Sequence, residues 1–144
     1  VEPCDAIFSN AVLHWIDKSR QQELLNNIAS NIKKGGEFVC EFGGFGCAEN
    51  VHSALKDIFE EKGHKYFKNF YFPTIGEYAP LLENAGLRVK YAILFDRPTY
   101  QQGGLEGWIR MFDMAPFEGM SNDDINDIIG EADYVRIRFR CERV

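Results

Sequence analysis

Apolar positions along this chain change period several times, and each change marks an element. Ala6, Ile7 and Phe8 form a short continuous apolar run, the pattern of a parallel strand buried on both faces. Ser9 and Asn10 end it. The spacing then changes to three and four. Leu24, Leu25, Ile28 and Ile32 make one helical stripe, with Gln21, Gln22, Asn26, Asn27 and Asn31 mostly on the other face. Asp17 is the expected N-cap. Lys33 and Lys34 suit the negative end of the helix dipole, and Gly35 with Gly36 is expected to stop the helix.

A second strand is predicted over residues 37–42, and Gly43-Gly44-Phe45-Gly46 follows it at once. A helix over 48–62 carries Val51, Leu55, Ile58 and Phe59 as its stripe. Strand, helix and strand in this order make a βαβ unit, whose right-handed crossover gives parallel strands. Residues 63–72 form a loop dense in aromatics: Tyr66, Phe67, Phe70, Tyr71 and Phe72. Thr74 and Glu77 have the spacing of a capping box, so a helix starts there and ends at Gly86. Residues 87–95 read as a strand with Leu87, Val89, Tyr91, Ile93 and Phe95 on one side. A loop over 96–104, a helix over 105–112 and a helix starting at Ser121 come next. The last strand, over 132–142, is the most regular: Val135, Ile137, Phe139 and Cys141 point one way, and Arg136, Arg138 and Arg140 the other. That arginine stripe reads first as a solvated or ion-paired face.

Composition narrows the picture. The 144 residues suffice for one domain with a real core. A formal charge of −6 disfavours broad binding to nucleic acid or to an anionic membrane, both of which select a basic face. Cys4, Cys40, Cys47 and Cys141 show no C-x-x-C spacing, so buried or partly buried free thiols and a reducing, cytoplasmic location are expected, with no metal site. No apolar run approaches the roughly 18 residues of a membrane span, and no signal peptide is visible.

Several motifs now carry a family resemblance. The run DAIFSNAVLHWI over residues 5–16 resembles the fourth strand and following turn of class I S-adenosylmethionine-dependent methyltransferases. IKKGGEF over 32–38 resembles that family's turn into strand five, with Lys34 where proline is usual. EFGGFG, YFPTIGEYAPLLENAGL, FDRPTYQQGGLEGWIRMF and DYVRIRF together resemble the branch around trans-aconitate methyltransferase. The resemblance implies an α/β, partial Rossmann-like fold: a mixed four-stranded sheet in the family order four, five, seven, six, its last strand antiparallel, with helices on its faces. It also implies that residues 1–144 are a single domain, the C-terminal part of a methyltransferase domain. The family's first three strands and the G-x-G-x-G loop beneath the cofactor have no counterpart here.

By that resemblance the full-length parent moves a methyl group from S-adenosylmethionine to a small molecule, a carboxylate being the acceptor in view. Asn10, Ala11 and Leu13 would line the cofactor. His14 is the candidate catalytic residue, as general base for an alcohol or amine acceptor; a carboxylate needs none. Trp15, Gly43, Gly44, Arg97, Tyr100, Trp108 and Arg110 are substrate-side candidates, the arginines because guanidinium grips carboxylate bidentately. Turn geometry explains Gly43 and Gly44 equally well, and an ion pair explains Arg97. Without the facing half of the site, this chain alone is expected to bind cofactor poorly and to be inactive. The rival reading is a non-catalytic α/β fragment acting through protein contacts, because loss of the first strands would leave an open sheet edge that invites a homodimer.

Overall fold

The alternation near the chain's end sets the architecture, because a strand with one apolar and one charged row needs a different neighbour on each face. In a computed structural model, which describes residues 2–98, 107, 111 and 134–144, that strand lies inside a four-stranded sheet. The elements run β1 (Cys4–Asn10), short 3-10 turns at Leu13–Trp15 and Lys18–Arg20, α1 (Gln21–Ser30), β2 (Ile32–Gly43), α2 (Glu49–Glu61), α3 (Ile75–Asn84), β3 (Leu87–Asp96) and β4 (Val135–Arg143). The sheet order is β1-β2-β4-β3, with β1 parallel to β2 and β4 antiparallel to β2. This is the expected order, including the antiparallel last strand. The helices predicted over 105–112 and from Ser121 lie outside the described residues.

The chain falls into two compact units. The first comprises residues 1–45, 70–95 and 135–144 and holds the sheet with α1 and α3. Phe38, Cys40 and Phe42 of β2 and Ile137, Phe139 and Cys141 of β4 share one face. Leu25 and Ala29 of α1 and Tyr78 and Leu82 of α3 close over it. Burial pushes the Cys141 thiol up to about 12 and the Cys40 thiol up as well, so both act as small hydrophobes. The second unit comprises residues 46–69 and 96–134. In it α2 buries Val51, Leu55 and Phe59, as its spacing predicts, and His52 meets the Tyr66 hydroxyl at 2.5 Å.

The capping box forms in full. Thr74 Oγ1 accepts from the Glu77 N–H, and the Glu77 carboxylate accepts from the Thr74 N–H. Thr74→Ala should therefore cost about 1 kcal/mol, measurable by urea denaturation.

Two local expectations change. Gly35 and Gly36 do not end α1, which stops at Ser30. Residues 33–36 form a bulge at the start of β2, opposite Asp5: the register passes from Cys4↔Ile32 to Ala6↔Glu37. Gly35 supplies the left-handed conformation, φ +78°, and a Cβ on Gly36 would lie 2.6 Å from the Asp5 carbonyl. Lys33 accordingly pairs with Asp5 at 2.9 Å. The second change concerns β1, which is not buried on both faces. It is the edge strand, mostly exposed, and Phe8 keeps 70% of its surface accessible. Among the described residues no strand adjoins its outer side.

Candidate functional site

The carboxyl ends of β1 and β2 lie side by side, and in open α/β sheets ligands bind just beyond that edge. Asn10 is the last residue of β1 and pairs in register with Glu41. The Ala11 N–H then donates to the Glu41 carbonyl at 2.8 Å, and Ala11 takes a left-handed conformation, φ 58°. For a residue with a Cβ this costs about 1–2 kcal/mol, so the surroundings must impose the turn. Asn10, Ala11 and Val12 are exposed along it. Leu13 turns inward into the core, where it contributes packing rather than a surface.

His14 is buried beside this turn. Its Nδ1 accepts a hydrogen bond from the Gly43 N–H at 3.1 Å. A ring nitrogen that accepts carries no proton, so the neutral ring bears its proton on Nε2. Burial first, and the Arg136 charge second, lower the His14 pKa to about 4. The imidazole is therefore neutral at pH 7, with its one lone pair engaged. Stability carries the matching sign: this contribution is complete above the ordinary histidine value of 6.5 and is lost as pH falls from there through about 4.

Residues 13–16 are held from beneath by Gln21, which is fully buried. Its Nε2 donates to the carbonyls of Leu13 at 2.9 Å and Ile16 at 2.7 Å, while its Oε1 accepts from the Tyr78 hydroxyl at 2.9 Å. From above, the Tyr71 N–H donates to the His14 carbonyl at 3.0 Å. Phe70 and Phe72 stack at 5.5 Å, and the edge-to-face pair of Trp15 with Phe70 is at 4.6 Å. Trp15 stays 45% exposed, so its ring forms a wall of the edge.

A charged ladder crosses the sheet face opposite the core. Glu41 faces Arg138 directly and Arg136 diagonally. Its Oε1 accepts from Arg136 Nε at 3.3 Å and its Oε2 from Arg138 Nε at 2.8 Å. Arg136 Nη2 donates to Asn10 Oδ1 at 3.1 Å. Further down, Arg140 pairs with Glu37. Burial pushes Glu41 upward, but hydrogen bonds and charge from Arg138, then Arg136, outweigh it and hold the carboxyl below its ordinary range. The arginine stripe is thus ion-paired, and its Arg136 end is 9% exposed, at the carboxyl-end edge of β1 and β2.

The candidates divide accordingly. Asn10, Ala11, His14, Trp15 and Gly43 come together. Gly44 is explained by packing, because a Cβ there would lie 2.4 Å from Leu94 Cδ1 and 3.0 Å from Ile137 Cβ. Arg97 belongs to the second unit, where its N–H donates to the Tyr134 carbonyl at 2.7 Å. Tyr100, Trp108 and Arg110 lie outside the described residues. Sequence reasoning assigned no role to Glu41, Phe70 or Phe72, and placed Arg136 only in a stripe. The signal for Glu41 was present: Glu37 and Glu41 share a strand face, four residues apart, and complement three arginines spaced by two. Among the described residues no cluster of His, Cys, Asp and Glu could hold a metal, and no helix is long and apolar enough to cross a membrane.

No family model matches the chain. An uncharacterised methyltransferase of Schizosaccharomyces pombe is 28% identical over 118 residues, covering 77% of this chain. The chain spans 45% of that relative's length. Among solved structures, a Bacillus halodurans protein assigned provisionally to the methyltransferases superposes with a TM-score of 0.60 at 10% identity, over 99% of this chain and 65% of that one. Magnesium protoporphyrin IX methyltransferase of Synechocystis, solved with S-adenosylhomocysteine bound, gives 0.58 at 12% identity, over 100% of this chain and 46% of that one. The fold is that of the class I S-adenosylmethionine-dependent methyltransferases.

Proposed function

We propose that this chain is the C-terminal part of a methyltransferase domain of the trans-aconitate type, which in its full-length parent moves a methyl group from S-adenosylmethionine to a small carboxylate. The observation that carries the acceptor class is the state of His14. A general base needs a free lone pair, and the only one on this neutral ring is engaged by the Gly43 N–H. Alcohol and amine acceptors often need such a base. A carboxylate is already ionised at neutral pH and needs alignment alone. His14 then serves as a positioning residue, and its Nε2–H is a donor.

The residues present fit one side of the cofactor. Asn10, Ala11 and Val12 form an exposed turn at the carboxyl-end edge of β1 and β2, where the Asn10 amide is available to it. Asn10 and Ala11 would hold the cofactor on this side, and when bound it supplies a methyl group already activated by its sulfonium. Trp15 and Phe70 exclude water from the acceptor's flank. The test uses the full-length protein with methyl-labelled S-adenosylmethionine and panels of small carboxylates, alcohols and amines. Base-labile label on a carboxylate is the expected result. Label only on amines or alcohols would overturn the acceptor class.

One observation favours a second reading. The outer edge of β1 and the exposed Phe8 ring suit pairing with another chain. On that reading the fragment acts through protein contacts and forms a dimer along β1. Light scattering that finds a monomer at high concentration would count against it.

A further inference from the structure

The donor and acceptor properties of guanidinium and amide bear on what Asn10 offers a ligand. Guanidinium has five N–H donors and no acceptor. An amide that meets it must therefore present its oxygen, as Asn10 does, and its Nδ2 must point the other way. Among the described residues no acceptor meets that Nδ2. Asn10 itself is exposed, whereas Arg136 is buried.

We propose that Arg136 is a positioning residue for the cofactor edge: clamped by Glu41, it fixes the Asn10 amide so that Nδ2 faces outward as a donor to an oxygen of the cofactor. The inference rests on the function proposed above. Arg136 is itself held, because Glu41 takes its Nε on one carboxylate oxygen and Arg138 on the other. The Asn10 backbone is held too, by the register with Glu41 and by the Ala11 bond to the Glu41 carbonyl. Side chain and main chain of one residue, Glu41, thus fix both ends of Asn10. A purely structural ion pair has no need of Asn10; the hydrogen bond from Nη2 is what reaches the edge.

Two variants separate positioning from stability in the full-length protein. In Arg136→Lys the charge remains, but a single ammonium cannot span Glu41 and Asn10 as the planar fork does. In Asn10→Asp the carboxylate still accepts from Arg136 and offers no donor. Both should weaken S-adenosylmethionine binding about tenfold or more, as loss of one good hydrogen bond implies. The Asn10→Asp variant should keep its urea midpoint. A readout without ligand accompanies these: the Asn10 side-chain amide, followed by NMR relaxation, should be ordered in the wild type and mobile in Arg136→Lys. Equal order in both proteins, or wild-type affinity in Asn10→Asp, overturns the proposal. Failure of the wild type to bind S-adenosylmethionine would sink the functional reading instead, leaving the amide order to decide whether Arg136 positions Asn10.

Discussion

Gln21→Leu is expected to cost about 3 kcal/mol of folding stability, from the buried Tyr78 hydroxyl and the half-buried Ile16 carbonyl left without a partner, at roughly 1–3 kcal/mol each with the carbonyl at the lower end. The substitution conserves approximate volume, so the loss is polar in origin. The Leu13 carbonyl keeps a bond from the Ile16 N–H at 3.2 Å. The Ile16 carbonyl and the Tyr78 hydroxyl lose the partners that Gln21 gave them. Tyr78→Phe alone should cost about 1–2 kcal/mol, and combining the two should recover part of the Gln21→Leu loss, because the orphaned hydroxyl is gone. Urea denaturation of the four proteins completes the cycle. A cost under about 1 kcal/mol for Gln21→Leu would show that residues 13–16 do not depend on this side chain. The consequence reaches the site, since the same bonds hold the turn that carries His14 and Trp15.

Glu41→Ala is expected to cost about 3 kcal/mol, because it leaves the buried Arg136 guanidinium without its carboxylate. The Arg138 share is small: that side chain is 49% exposed and water screens it. The acid dependence has a definite sign. The folded-state pKa of Glu41 lies below the ordinary 4.5, so its stabilisation is complete above that value and is lost as pH falls through the lower, folded one. The gap in stability between wild type and Glu41→Gln should therefore narrow as pH drops below 4.5. A gap that stays constant down to full acid unfolding would contradict the assigned pairing.

Much of this frame was legible in the residues, for reasons that differ by element. The β4 alternation was clear because one face meets a core and the other meets carboxylates. The capping box was clear because its chemistry is local. Gly35 and Gly36 misled because two lysines followed by two glycines suit a helix end, whereas here they serve a bulge opposite Asp5, a partner no local pattern reveals. The run Ala6-Ile7-Phe8 suggested a doubly covered strand, and β1 is an exposed edge. The resemblance had already implied that edge, by leaving out the strands beside it. The site was harder to see. His14 stood out as a residue, but its partner is a backbone N–H of Gly43, which carries no sequence signature. The link from Arg136 to Asn10 joins the two outermost stretches of the chain, and only the β1–β2 and β2–β4 registers together bring them into contact.

Isothermal titration of S-adenosylmethionine decides whether the edge formed by Asn10, Ala11 and Val12 is, as proposed, one wall of a cofactor site whose facing wall belongs to the rest of the parent. Saturable binding by the full-length protein and none, or only weak binding, by the 144-residue chain is the expected result. Tight binding by this chain alone, or none by the full-length protein, would contradict it.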